Sequence, residues 1–298
     1  MSFYHSDPEM QAHLRNLLNK FSYEKRPNLH NNVSITWIRY KEPQPSPGSG
    51  FGASWSENKL FYPASVIKII YGIATEIWLQ NDLLNESDEL YRALKNMLSY
   101  SSNDATSYIV DILTATNSGP SLIGSNWEIW KHQRQIINRW LNNFNWKELE
   151  GVNCSQKTWV DSPYGRDKDF YGKNNENRNS LSSLGIARFF EALMTNSLLN
   201  DKSTKRLKKY LFRSLDKSIR AKDPENQIDG FLGEGLSETA RIWSKAGLMS
   251  EVRHDIAWWQ EEGKNPMLAV VFTQGEGLSE DTNLLPSLAK ELKDYIFY

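Results

Sequence analysis

Several kinds of chemistry are excluded by what the sequence lacks. The 298 residues include one cysteine, Cys154, which excludes an intramolecular disulfide framework and any multi-cysteine metal or redox site. The five histidines are scattered, without an i, i+4 pair or an HExxH motif. We therefore expect chemistry by oxygen and nitrogen side chains, with no metal and no other cofactor.

Charge and hydropathy exclude two further classes of protein. The 35 Lys and Arg residues balance 36 Asp and Glu residues, so the net charge is −1 and we expect no nucleic-acid partner. No apolar run reaches the roughly 20 residues that span a bilayer, so no membrane span is expected. The N-terminal segment lacks a basic region followed by an apolar stretch. This predicts a cytoplasmic protein, or an exported one if a leader has been trimmed.

Strand patterns lie near both ends of the chain, and helical patterns lie between them. Apolar, β-branched and aromatic residues predict strands over 33–40, 51–61, 239–246, 253–260 and 266–273. Helical periodicity runs from 63 to about 80 and recurs around 87–99, 103–115, 129–143, 182–198 and 203–220. An amphipathic helix is predicted near each end of the chain. The first helix follows Asp7 as its N-cap and has Pro8 in its first turn.

This order predicts the fold class α/β, as an α+β sandwich. One antiparallel sheet of about five strands would be built from both termini and flanked by helices. The expected domains are a discontinuous α/β domain, 1–62 plus 225–298, and an inserted helical domain, 63–224. The polar segment of about 144–181 predicts a long omega-like loop, and loops of this length are often functional.

The candidate nucleophile lies at the start of the apolar helical segment. In Ser65-Val-Ile-Lys68 the serine and lysine share one helix face. A helix N-terminus favours developing negative charge, and an apolar setting lowers the pKa of a lysine toward that of a usable base. The same spacing occurs at four other places, Ser22/Lys25, Ser56/Lys59, Ser214/Lys217 and Ser287/Lys290. Only the Ser65 pair opens an apolar helix.

Two further segments carry polar groups suited to a substrate. In Ser101-Ser-Asn103, a serine that could relay a proton precedes an amide that could bind a substrate amide. The same composition is also typical of a helix cap. In Lys245-Ala-Gly247, a strand carries a cation and then a glycine that lets the backbone approach a ligand closely. Arg253 follows on the returning strand. These cations could hold a carboxylate, or be ordinary solvated edge residues.

Together and in this order, the three segments resemble the S-x-x-K, S-D-N and K-T-G motifs of the penicillin-recognising serine hydrolases. That family includes class A β-lactamases and DD-peptidases. The resemblance implies that Ser65 is acylated, that Lys68 is its base, and that Ser101 relays the proton with support from Lys245. It also implies substrate contacts, which are made by Asn103, Gly247, Leu248 and Arg253, with the backbone N–H groups of Ser65 and Leu248 as the oxyanion hole.

The sequence departs from the family pattern at several positions. Ser102 replaces the Asp of the second motif, Ala246 replaces the Thr of the third, and only 36 residues separate Ser65 from Ser101. In class A enzymes the loop carries a glutamate 13 residues before its last Asp. In this sequence Asn179 stands in the place of that Asp, and the residue 13 positions before it is Arg166. Several other carboxylates lie nearby in the loop: Asp161, Asp167, Asp169 and Glu176.

The expected function is a serine hydrolase that forms an acyl-enzyme on an amide or ester, with weak deacylation of β-lactams. Its partner would be a small-molecule substrate that carries a carboxylate. Two alternatives remain open. One is a glutaminase-like amidase, and the other is a non-catalytic penicillin-binding or sensor-like module.

Overall fold

The computed structural model describes residues 3–24, 26–159 and 161–295. The chain divides into two compact units, one formed by Met1–Val66 and Ser182–Tyr298 and the other by Ile67–Leu181. The sequence predicts domain boundaries at 62/63 and 224/225. Residues 182–224 lie in the first unit, with the sheet.

The described residues form strands, helices and short 3₁₀ turns. In chain order, the strands are β1 (His5–Ser6), β2 (Val33–Arg39), β3 (Phe51–Trp55), β4 (Phe212–Arg213), β5 (Arg241–Met249), β6 (Val252–Gln260) and β7 (Met267–Thr273). The helices are α1 (Pro8–Tyr23), α2 (Leu29–Asn32), α3 (Lys68–Gln80), α4 (Asp88–Ser99), α5 (Asn103–Thr114), α6 (Gly124–Arg134), α7 (Ile136–Asn142), α8 (Gly165–Tyr171), α9 (Ser183–Met194), α10 (Asp201–Leu211), α11 (Lys217–Arg220), α12 (Glu276–Ser279) and α13 (Leu284–Lys293). The 3₁₀ turns span Ala64–Ile67, Lys147–Leu149 and Leu232–Gly235.

The first unit is a sheet with helices on both faces, as the predicted class requires. Within the described residues its seven strands follow the order β1-β3-β2-β7-β6-β5-β4. Alternate residues of β2 point to opposite faces. Ile35 and Trp37 lie in the core that includes residues of α1 and α13. On the other face, the hydroxyls of Ser34 and Thr36 lie 2.7 and 2.9 Å from the Ser183 hydroxyl at the start of α9.

The sheet is larger than predicted, and it is not wholly antiparallel. The five expected strands are present, but β1 and β4 are added, and β1 runs parallel to β3. A strand of two residues is too short to show an alternating pattern, so the sequence gives no sign of either one. The helix predicted over 203–220 is present in two parts, α10 and the short α11. The first part ends at Leu211, because Phe212 and Arg213 pair with β5.

The second unit is helical, and its long polar segment has internal order. Residues 144–181 contain a 3₁₀ turn and α8. The backbones of Asn153 and Ser180 exchange two hydrogen bonds, of 3.0 and 2.9 Å. This bridge joins the two halves of the segment near its ends, so the predicted loop is closed at its base.

Truncation of Leu14 should lower the free energy of unfolding by about 2–5 kcal/mol, because the Leu14 side chain is fully buried between α1 and the sheet. Urea unfolding of Leu14→Ala measures the loss. Leu83→Ala is the matched control, since Leu83 is 63% exposed and should lose about 0.5 kcal/mol or less. Equal losses in the two variants would contradict the assignment of α1 to the core.

Candidate active site

Lys68 is buried at the first turn of α3 and is fully enclosed by protein. Its Nζ donates to three oxygens: the Ser101 carbonyl at 2.6 Å, the Asn103 Oδ1 at 2.8 Å and the Ser101 Oγ at 3.2 Å. The second unit thus brings together three of the residues predicted for the site. Of the three oxygens, only the hydroxyl can also donate a proton, so it alone can bond to the lone pair of a neutral amine.

The same burial sets the protonation state of Lys68. Removal of the ammonium from water disfavours the charged form and lowers the pKa of Lys68 to about 7. A large share of the amine is then neutral near pH 7, with a lone pair that can accept a proton. The sequence prediction that an apolar helix would make this lysine a usable base agrees with this shift.

Local backbone geometry explains how Ser101 and Asn103 face Lys68. Ser101 has φ 57° and lies between α4 and α5, and this left-handed residue turns the chain sharply. Ser102 is the N-cap of α5 and accepts a hydrogen bond from the Ala105 N–H at 3.1 Å. The capping interpretation of this segment is therefore right for Ser102, while its two neighbours contact Lys68.

Ser65 lies in the 3₁₀ turn Ala64–Ile67, just before α3. It is partly exposed, whereas Ala64 and Val66 on either side are buried. Gly247 of β5 packs under this turn, where a Cβ atom would lie 2.9 Å from the Pro63 carbonyl oxygen and 3.1 Å from Val66 Cγ2. The serine-bearing turn therefore approaches Gly247 closely, and any side chain at 247 would displace that turn. The close approach of a ligand to this glycine stays a prediction.

Lys245 is a second fully buried cation, on β5. Its Nζ donates to the Gln227 Oε1 at 2.6 Å and to the Ala246 carbonyl at 2.8 Å. Asp255 lies opposite Ala246 in the ladder and is also buried. Burial raises the pKa of Asp255 to about 7, opposed by the Leu232 N–H and by the charges of Lys245 and Arg213. Lys245 is therefore not the solvated edge residue of the alternative interpretation.

Leu248 and Arg253 are directly paired across the β5–β6 ladder. Leu248 is 54% exposed, but Arg253 is only 7% exposed. The Arg253 guanidinium donates to the Ser279 carbonyl at 2.8 Å and to the Gly230 carbonyl at 3.3 Å. At least part of its hydrogen-bonding capacity is used within the fold, and its role as a carboxylate anchor stays a prediction.

The carboxylates of the 144–181 segment are distributed in two ways. Glu150, Asp161, Asp169 and Glu176 are exposed. Glu148 is buried, with 8% of its surface exposed. Asp167 is buried and forms an ion pair with Arg134 at 3.1 Å. Arg166, which occupies the position of the family's glutamate by spacing, donates to the Pro120 carbonyl and the Asn117 Oδ1 at 3.0 and 3.1 Å.

Gln156 is a buried polar residue of this segment that packs next to α3. Its carbonyl accepts hydrogen bonds from the Tyr71 hydroxyl at 2.6 Å and from Asn179 Nδ2 at 2.9 Å. Tyr71 lies one turn after Lys68 on α3. Gln156 is 2% exposed, and neither polar atom of its side chain has a hydrogen-bond partner among the described residues. A buried amide in this state is available to a ligand or a water molecule.

Comparison with known proteins identifies the family. The sequence model described as the β-lactamase enzyme family matches residues 79–296, more than half of the chain. The chain belongs to the β-lactamase enzyme family. The resemblance predicted from the three motifs is thereby confirmed. The matched residues include Ser101 and Lys245 but begin after Ser65 and Lys68, so the match does not cover that pair.

Solved structures of this family share the fold. PBP-A is 14% identical and aligns over 97% of this chain and 96% of its own, with a TM-score of 0.63. The TLA-1 extended-spectrum β-lactamase is 11% identical over 96% and 99% of the two chains, at 0.69. A β-lactamase from Sphaerobacter thermophilus DSM 20745 is 16% identical over 87% and 89%, at 0.60. No curated protein matches the sequence significantly.

Two glutamines that contact the neighbourhood of predicted residues are absent from the sequence prediction: Gln227, which accepts from Lys245, and Gln156, which accepts from Tyr71. Both are single glutamines in polar segments, and no local pattern distinguishes them from other glutamines. Among the described residues, no group of three or more His, Cys, Asp or Glu side chains could hold a metal ion. In the same part of the chain, no helix is long and apolar enough to cross a membrane.

We expect Lys68 to titrate with a midpoint near pH 7, because its burial disfavours the ammonium form. A lysine ¹³Cε NMR titration measures this directly, and loss of the signal in Lys68→Arg assigns it. If every lysine signal titrates above about pH 9, close to the ordinary range of the amine, the buried-base description is wrong.

Proposed function

We propose that this protein is a serine hydrolase that forms an acyl-enzyme at Ser65 on an amide or ester bond, with the β-lactam amide as its reference substrate. The observation that carries the proposal is the environment of Lys68. This amine has a pKa near 7, it is held against Ser101 and Asn103, and it follows the partly exposed Ser65 by three residues.

Acylation begins with proton transfer from the Ser65 hydroxyl to the neutral Lys68 amine. Ser65 Oγ attacks the carbonyl carbon, and the resulting oxyanion is bound by the backbone N–H groups of Ser65 and Leu248. The carbonyl carbon–nitrogen bond then breaks. The leaving nitrogen takes the proton that Lys68 received, passed through Ser101 Oγ, so the amine returns to its neutral form.

Asn103 and Lys245 have supporting roles in this scheme. The Asn103 Oδ1 accepts from Lys68, which leaves the two N–H donors of its amide for a substrate carbonyl. Lys245 contributes a buried positive charge that favours a substrate carboxylate and the developing oxyanion. Both roles are inferred from the resemblance to the family motifs.

Deacylation should be slow, because a water molecule must be activated by a group that accepts a proton. Four carboxylates of the 144–181 segment are exposed. Of the two buried ones, Asp167 is paired with Arg134, and Glu148 lies in the 3₁₀ turn Lys147–Leu149. The neutral amide of Gln156 can hold a water molecule but cannot act as its base. A PBP-A variant has been captured as an acyl-enzyme complex with penicillin G, which is one precedent for a persistent adduct on this fold.

Ser65→Ala should abolish covalent labelling. Wild-type protein incubated with a fluorescent penicillin or a fluorophosphonate should gain the mass of one adduct, located by peptide mass spectrometry at Ser65. Ser56→Ala is the matched control, because Ser56 also stands three residues before a lysine but is exposed. Its labelling should equal that of the wild type.

Covalent labelling, combined with an assay of glutamine hydrolysis, separates the functional classes. An adduct that persists without turnover favours a penicillin-binding or sensor-like role. Hydrolysis of glutamine without reaction with penicillin favours the amidase alternative. A folded protein that reacts with neither labelling reagent overturns the proposal.

Gln156→Glu should accelerate release of the acyl group, because it replaces the neutral amide with a carboxylate that can deprotonate water. General-base assistance predicts an increase of about 100-fold. The acylated protein is freed of excess reagent, and the loss of adduct mass is followed with time. Gln44→Glu makes the same charge change at an exposed position and should leave release unchanged. An unchanged rate in Gln156→Glu would exclude Gln156 from the water site.

A further inference from the structure

His254 is a fully buried histidine on β6, directly opposite Gly247 in the β5–β6 ladder. Its two ring nitrogens link separate parts of the first unit. The Thr273 backbone N–H on β7 donates to Nδ1 at 3.1 Å, and Nε2 lies 2.8 Å from the Tyr62 carbonyl oxygen. The acylation steps make no use of this side chain, although Tyr62 lies only three residues before Ser65.

These partners determine which nitrogen carries the proton. Because Thr273 N–H is a donor, Nδ1 must be the acceptor and carries no hydrogen. Nε2 therefore bears the proton and donates it to the Tyr62 carbonyl. Burial lowers the pKa of His254 to about 4, so the neutral ring persists across the working pH range. The two nearby rings, Phe272 and Phe61, restrict its rotation, with centroids 4.5 and 6.1 Å away.

The segment that His254 contacts is strained and needs to be held. Ala64 has φ 45°, a left-handed conformation that is unfavourable for a residue with a Cβ. Within the turn, the Val66 N–H donates to the Pro63 carbonyl at 3.1 Å. Proline has no N–H, so Pro63 cannot add a backbone donor of its own. The Tyr62 carbonyl, directly before Pro63, is a point at which this segment is fixed to the sheet, through His254 Nε2.

Two paired positions of the sheet therefore act on the serine-bearing turn. Gly247 admits the turn by having no side chain, and His254 holds the residue before Pro63 through a hydrogen bond. We infer that His254 is a positioning residue for Ser65, fixing the strained 62–66 segment so that the Ser65 hydroxyl is presented in one orientation. This inference rests on the proposed function for its effect on rate, but not for its effect on the segment.

The test compares His254→Leu with His254→Gln. Leucine removes the donor, whereas glutamine keeps an N–H group that can reach the Tyr62 carbonyl. We expect His254→Leu to lower the maximal acylation rate by about 10- to 100-fold, with little change in the concentration for half-saturation, because a small misplacement of a reacting atom costs rate rather than binding. His254→Gln should recover most of that rate.

Two further measurements keep the result interpretable. Leu288→Ala, a core substitution on α13, controls for loss of stability, and it should leave the acylation rate unchanged at a temperature where the protein remains folded. Amide hydrogen exchange at Val66 reports on the turn without any substrate. It should become about tenfold faster in His254→Leu and return toward the wild-type rate in His254→Gln.

The two proposals can fail separately. If the wild type forms no adduct, the proposed function fails, and Val66 exchange still tests the positioning role. If His254→Leu acylates at the wild-type rate with unchanged Val66 exchange, the positioning role is overturned and the proposed function stands. An equal loss of rate in the leucine and glutamine variants would also overturn it, because the hydrogen bond to Tyr62 would then have no effect.

Discussion

The burial of the Lys68 amine is the constraint on which the rest of the site depends. An ammonium ion is destabilised in this apolar setting, and the lowered pKa corresponds to a loss of a few kcal/mol in stability at neutral pH relative to an exposed lysine. The fold must therefore bring oxygen acceptors to the amine from another part of the chain. The turn at Ser101 brings such acceptors to the amine, and the left-handed backbone of Ser101 between α4 and α5 makes this turn possible.

The sheet uses a comparable arrangement around its own buried cation. Lys245 has a hydrogen-bonding partner in Gln227, and the β5–β6 ladder pairs Lys245 with Ile256. The same pairing sets Gly247 opposite His254. A shift of one residue between these strands would separate Gly247 from His254, so strand register matters as much for the candidate chemistry as for the stability of the sheet.

Local sequence patterns predict the parts of the molecule that depend on neighbouring residues. Asp7 caps α1 as predicted, and Ser65 and Lys68 are recognisable because they open an apolar helix. The strand β4 could not be predicted, since only its pairing with β5 ends the helix at Leu211. The contacts of Gln227 and His254 depend on segments far away in the sequence, and neither residue has a distinctive local pattern.

Acylation and deacylation make different demands on this fold. The proposed acylation needs a serine, a neutral lysine and a proton relay. The candidates are Ser65 in the turn before α3, Lys68 in the first turn of α3, and Ser101. One of the two buried carboxylates of the 144–181 segment, Asp167, is already paired with the buried Arg134. Release of Asp167 would leave the buried Arg134 with only its longer ion pair to Asp111, at 3.3 Å, among the described residues. Loss of a buried partner costs more than loss of an exposed one. The ion pair with Arg134 thus withholds this carboxylate from the proton transfer that the proposed deacylation requires.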